Sequence, residues 1–94
     1  MNYIDQRAQD IHRAVFSGAS IPDGDSDIDL YRIYAVLSFT KGAETTLEDV
    51  HDAWSAWIAG LNPEHRSLVP FAELSPSTQE LDRPFMDAIR KVSA

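Results

Sequence analysis

The run from Thr45 to Pro63 constrains this chain most, because it spells one helix from start to stop. Thr45-Thr46-Leu47-Glu48 reads as a capping box, in which Thr45 satisfies one free amide and Glu48 reaches back to another. Leu47, Val50, Trp54, Trp57, Ile58 and Leu61 follow at spacings of three and four, so one face is apolar throughout. Gly60 and Pro63 stop the helix near Ala59. A helix with so broad an apolar face must be covered by other elements, and the rest of the sequence supplies them in helical form.

Upstream, Ile4, Ala8, Ile11 and Val15 fall on one side of a helix over Tyr3 to Phe16, with charged residues mostly opposite. Ser17-Gly18 ends it, with the glycine suited to a left-handed cap. A loop over residues 19–27 leads to a second helix, capped by Ser26 or Asp27 and running to about Thr40. Leu30, Ile33, Tyr34 and Leu37 share a face, while Tyr31, Val36 and Phe39 are apolar elsewhere, which places this helix centrally. Downstream, Ser67 to Leu74 is short, apolar and interrupted by Pro70. It is expected to be an extended, buried crossing segment with at most a β-bridge. Ser75-Pro76 looks like an N-cap followed by proline, opening a last helix that buries Leu81, Phe85, Ile89 and Val92. Pro84 requires that helix either to kink or to restart with Asp82 as a second cap. The expected fold is all-α, with about four helices and a short extended proline-containing segment between the third and fourth. Residues 1–94 make a single domain.

Cysteine is absent, so neither a disulfide framework nor a thiolate metal site is available, which fits a reducing cytoplasm. A hydrophobic fraction of 44% suits a packed core without staples. No apolar run approaches the ~20 residues of a membrane span. The polar start with Asp5 does not read as a signal peptide. The net charge of −7 disfavours direct nucleic-acid binding.

Catalytic and metal-binding patterns fail one by one. Asp23, Asp25, Asp27 and Asp29 alternate like a calcium loop, but the sixth and twelfth positions are Ile28 and Tyr34 where glycine and glutamate are needed. His12, His51 and His65 have no metal-binding spacing. There is no nucleophile elbow and no glycine-rich phosphate loop. No enzyme activity, metal or cofactor is expected. Trp54 and Trp57 share a helical face beside His51, and two readings stand. They are core anchors, or they wall a site for a planar ligand with His65 and Arg66 nearby.

Three ordered blocks resemble the ryanodine-receptor-type repeat (RyR) domain across roughly residues 47–92. Val50-His51-Asp52-Ala53-Trp54 resembles that family's helix with a histidine three before a tryptophan. His65-Arg66-Ser67-Leu68-Val69-Pro70-Phe71-Ala72-Glu73-Leu74 resembles its "HPxLVPYxEL" stretch, and Gln79-Glu80-Leu81-Asp82-Arg83 its "KEYDR". Two departures are clear: Trp57 to Pro63 lacks the family's glycine–tryptophan–aromatic–glycine segment, and Arg66 replaces a proline. The overall pattern is also similar to small proteins of actinobacterial phages, which implies action in the host bacterial cytoplasm. On these grounds the expected function is a non-enzymatic interaction or adaptor module that binds a host protein or self-associates. The alternative is a protein that binds or sequesters a nucleotide-derived small ligand. In that alternative His51, Trp54, His65 and Arg66 line the pocket, with Trp54 stacking and Arg66 meeting a phosphate.

Overall fold

The structure is a computed structural model that describes residues 2–94. It is all-α among those residues. The order is α1 (Tyr3–Val15), α2 (Ile28–Thr40), a 3-10 turn (Gly42–Glu44), α3 (Leu47–Ala59), a second 3-10 turn (Phe71–Glu73), α4 (Pro76–Glu80) and α5 (Arg83–Ser93). Helices α1, α2, α3 and α5 are the four long elements, and α4 is little more than one turn. No helix among the described residues is long and apolar enough to cross a membrane.

Helix α2 is central, packing on α1, α3 and α5. Its position follows from its sequence. Leu30, Tyr31, Tyr34, Ala35 and Ser38 are buried and cover one face about 140° wide at 3.6 residues per turn, broad enough to meet several neighbours. One alanine on each long helix is buried: Ala8, Ala35, Ala53 and Ala88. A methyl side chain lets neighbouring helices approach closely, and Ile11, Tyr34, Val50 and Ile89 fill the space around these contacts. Ser38 is tolerated in this core because its hydroxyl donates to the Ala35 carbonyl and accepts from Arg7 Nη1 at 3.1 Å.

The helix ends follow local chemistry, with three differences from the sequence reading. At the end of α1 the left-handed residue after the cap is Ser17, at φ 55°, followed by Gly18 at φ 91°. Gly18 N–H donates to the Arg13 carbonyl at 2.8 Å, the long bond of a Schellman motif. The capping box of α3 is one residue later than expected. Thr46 Oγ1 accepts from the Asp49 amide and the Asp49 carboxylate accepts from the Thr46 amide, at 3.1 and 2.9 Å. Burial pushes the Asp49 carboxyl up, but the Thr46 and Lys41 hydrogen bonds outweigh it and hold it below its ordinary value. Thr45 is wholly buried instead. Its hydroxyl donates to the Gly42 carbonyl, and its own carbonyl accepts from Arg90 Nε at 2.8 Å, which fastens α5 to the α2–α3 connection. Thr46→Ala is therefore expected to cost about 1 kcal/mol of stability, the usual loss of an N-cap. Chemical unfolding checks this, and an unchanged midpoint would place the cap elsewhere.

The third difference is in the last third. Residues 67–74 are half-buried or exposed rather than buried, form no bridge, and tighten into the 3-10 turn at Phe71–Glu73. Pro84 is accommodated by a restart. Helix α4 ends at Glu80, Asp82 is the N-cap residue of α5, and Pro84 falls in the first turn, where no amide is required. The break turns Leu81 away from the core, leaving it 69% exposed, whereas Met86 and Ala88 join Ile89 inside.

Candidate functional site

A cleft of about 360 Å³ opens where α2, α3, the crossing segment and the α4–α5 corner meet. That volume lies at the small end of ligand pockets, large enough for a small organic molecule. Helix α2 contributes the adjacent Leu30 and Tyr31 and, about one turn later, Tyr34. Helix α3 contributes His51, Trp54 and Trp57 at a spacing of three, so the imidazole and both indoles form one wall. The crossing segment brings His65, Ser67 and Leu74, and the far side is closed by Thr78, Asp82 and Phe85.

His51 fixes this geometry. It is 2% exposed, and its Nε2 donates to the Val69 carbonyl at 2.7 Å, which pins the crossing segment to α3. A carbonyl only accepts, so the proton is on Nε2. The His51 ring stacks on Trp54 at 5.7 Å between centroids, and His65 meets the same indole edge-on at 5.0 Å. His65 Nδ1 accepts from the Ser67 amide at 3.0 Å, which leaves Nε2–H of the neutral ring as a donor. Ser55 Oγ lies 3.4 Å from His51 Nε2. That nitrogen already carries the proton given to Val69 and cannot take one from a hydroxyl.

Several polar groups in the cleft have no hydrogen-bond partner among the described residues. They are the hydroxyls of Tyr31 and Tyr34, the Trp54 and Trp57 indole N–H groups and the Asp82 carboxylate. Among the described residues no sealed side-chain polar atom is unsatisfied, so each of these groups, all on residues that line the cleft, keeps some access to solvent. Burial raises the Tyr31 hydroxyl to about 12, with a smaller push from Asp27. Burial raises Tyr34 further, helped by Asp82 and Tyr31. Both phenols stay protonated at neutral pH. The Asp82 carboxyl is also raised by burial, against a smaller opposing pull from His51.

A family profile described as a domain of unknown function (DUF7701) matches residues 2–94. The chain belongs to this family. No curated protein and no solved structure matches the DUF7701 chain.

Of the residues picked from sequence, the DUF7701 fold brings His51, Trp54 and His65 together in the cleft. Arg66 is exposed and does not line it, so the expectation that it meets a phosphate there finds no support in its position. The alternating aspartates serve the loop: Asp25 Oδ1 accepts from the Asp27 amide at 2.9 Å, and Asp29 pairs with Arg32 at 3.0 Å. Sequence reasoning missed Tyr31, Tyr34 and Asp82 as site residues. Tyr31 and Tyr34 looked like core, which they also are. Asp82 looked like a helix cap, yet its side chain makes no capping bond.

The raised carboxyl has a consequence for stability. A group with a higher pKa folded than unfolded stabilises below its unfolded value, and that contribution is lost as pH rises through its folded value. Ionised Asp82 is then a cost at neutral pH. Asp82→Asn should raise the melting temperature at pH 7, with the gain closing as pH falls below the ordinary carboxylate value of 3.8. A lower melting temperature for the variant at pH 7 would contradict this.

Proposed function

We propose that this chain is a non-enzymatic binding module whose ligand sits in the cleft between α2, α3 and the α4–α5 corner. One observation carries the reading: an aromatic cleft holds convergent polar groups that no protein partner uses. Sites of this kind orient a ligand with a few placed donors and acceptors, and here they are backed by two tryptophans. The RyR-type resemblance supports the same location, since each of its three blocks gives at least one residue to the cleft: His51 and Trp54, then His65, then Asp82. No lysine or arginine lines the cleft, which argues against a phosphate-bearing ligand and leaves neutral or cationic molecules. A thermal-shift screen of neutral, cationic and nucleotide compounds tests this. A ligand at 100 times its dissociation constant adds about 2.7 kcal/mol, a plain shift for a domain this small. Stabilisation by nucleotides but by no neutral or cationic compound would contradict the reading.

A second reading, self-association or protein docking, is favoured by a separate face. Tyr3, Val36 and Phe39 are 72%, 49% and 47% exposed, with the Tyr3 and Phe39 rings 5.5 Å apart and Arg7 over Phe39 at 4.3 Å. Sedimentation of the parent and of Phe39→Glu distinguishes it. A concentration-dependent dimer lost in the variant supports self-association, and a monomer at every concentration removes it.

A further inference from the structure

The lining of the cleft is unusual in the balance of its charges and rings. Five aromatic residues besides the histidines line it: the partly exposed Trp54, Trp57 and Phe85, and the nearly buried Tyr31 and Tyr34 at its floor. Its charged groups are Asp27 at the mouth and the half-buried Asp82, and no basic side chain lies among them. Aromatic faces are negative, and a carboxylate beside them adds to the same potential. The net charge of −7 gives the field around the cleft the same sign. A site so made attracts cations and repels phosphates.

The hydrogen-bonding inventory narrows the cation. Three of the free groups, both indole N–H groups and His65 Nε2–H, only donate. A bare ammonium would take its hydrogen bonds from Asp82 and the two phenol oxygens, whereas a methylated nitrogen presents its charge to the rings through C–H surface and asks for no acceptor. The free donors instead suit a hydroxyl or carbonyl oxygen on the same ligand.

We infer that the cleft is an aromatic cage for a methylated ammonium group, with Asp82 as counter-charge and an oxygen of the ligand meeting the donors on α3 and His65. This rests on reading the cleft as a binding site. It adds the chemical class of the ligand, a small N-methylated cation carrying a hydroxyl or carbonyl group. Asp82 serves through its charge alone, so removing that charge separates cations from their neutral isosteres.

Titration of the full chain by tryptophan fluorescence tests the assignment, because Trp54 and Trp57 both line the cleft and are the only two tryptophans. The probes are choline, its uncharged isostere dimethylbutanol in which carbon replaces nitrogen, and a peptide bearing trimethyllysine. Choline or the peptide should bind saturably and about tenfold or more tighter than the isostere. The tighter of the two cations tells whether the head group is offered by a free metabolite or by a protein side chain. Asp82→Asn should weaken the cations about tenfold and leave the isostere unchanged. Equal affinity for choline and the isostere overturns the cation assignment while leaving the cleft a ligand site. Binding of no probe also overturns it. The same titration with benzyl alcohol then decides the underlying reading: saturable binding keeps the cleft as a site for neutral ligands, and none removes that too.

Discussion

Trp54→Ala removes binding in the cleft while leaving a folded domain. The indole is the shared wall of the site, stacked on His51 and met edge-on by His65, so its loss opens the cage on two sides at once. Aromatic contacts to a desolvated cation contribute about 2 kcal/mol, and the loosened histidines add to that. An affinity loss of roughly ten- to a hundredfold for choline follows. The fold survives because Trp54 is half-buried at the rim of a core centred on Ile11, Tyr34, Val50 and Ile89. Truncating a fully buried tryptophan costs about 3–5 kcal/mol, and a half-buried one should cost nearer 2 kcal/mol. Titration and thermal unfolding of one preparation separate the two effects. Undiminished binding in the folded variant would move the site away from this wall.

Ile89→Ala should be the most damaging substitution of a single aliphatic residue. Ile89 is wholly buried on α5, beside Ala88 and Met86, in the layer where α5 meets α1 and α2. Arg90 follows it and holds the Thr45 carbonyl, and Ser93 Oγ bonds back to the Ile89 and Ser38 carbonyls. These bonds hold α5 in register, so the helix has little freedom to collapse into a cavity. A loss of about 2–5 kcal/mol is expected, with a fall in melting temperature of roughly 4–8 °C for each kcal/mol. Since a domain of this size has only about 5–15 kcal/mol in hand, the variant should sit close to its folding limit. A loss under about 1 kcal/mol would mean that α5 repacks and is not the lock described above.

The long helices were legible in the sequence because each writes its own period and punctuation. Helix α3 runs from a capping box to a glycine, and α1 carries its apolar residues on one side. The capping box was misplaced by one residue because Thr45 and Thr46 are chemically alike as caps. Only the packing of α5 decides that Thr45 goes inside and Thr46 takes the cap. The crossing segment was misjudged for a related reason. Leu68, Val69 and Phe71 are apolar enough for a core, but α1, α2, α3 and α5 already fill the interior, so the segment lies along the flank. Leu81 was placed on the buried face by extending one period through Pro84, and the restart at Asp82 rotates it outward. Three of the four candidate residues meet in the cleft because His51 and Trp54 share a helical face and His65 belongs to an adjoining block. Arg66 was a neighbour in sequence alone. Tyr31, Tyr34 and Asp82 reach the cleft from other elements, a long-range juxtaposition that local spacing does not encode.

The most direct test uses the indole N–H signals of a ¹⁵N-labelled sample, one from each tryptophan, as reporters confined to the cleft. The screen is a small-compound set spanning methylated cations, neutral aromatics and nucleotides. Binders among the cations or neutral compounds are expected to move both indole signals together, while amides at the α1 end, around Gly18, stay in place. Binders that leave both indoles unmoved would contradict this and put the functional surface elsewhere on the domain.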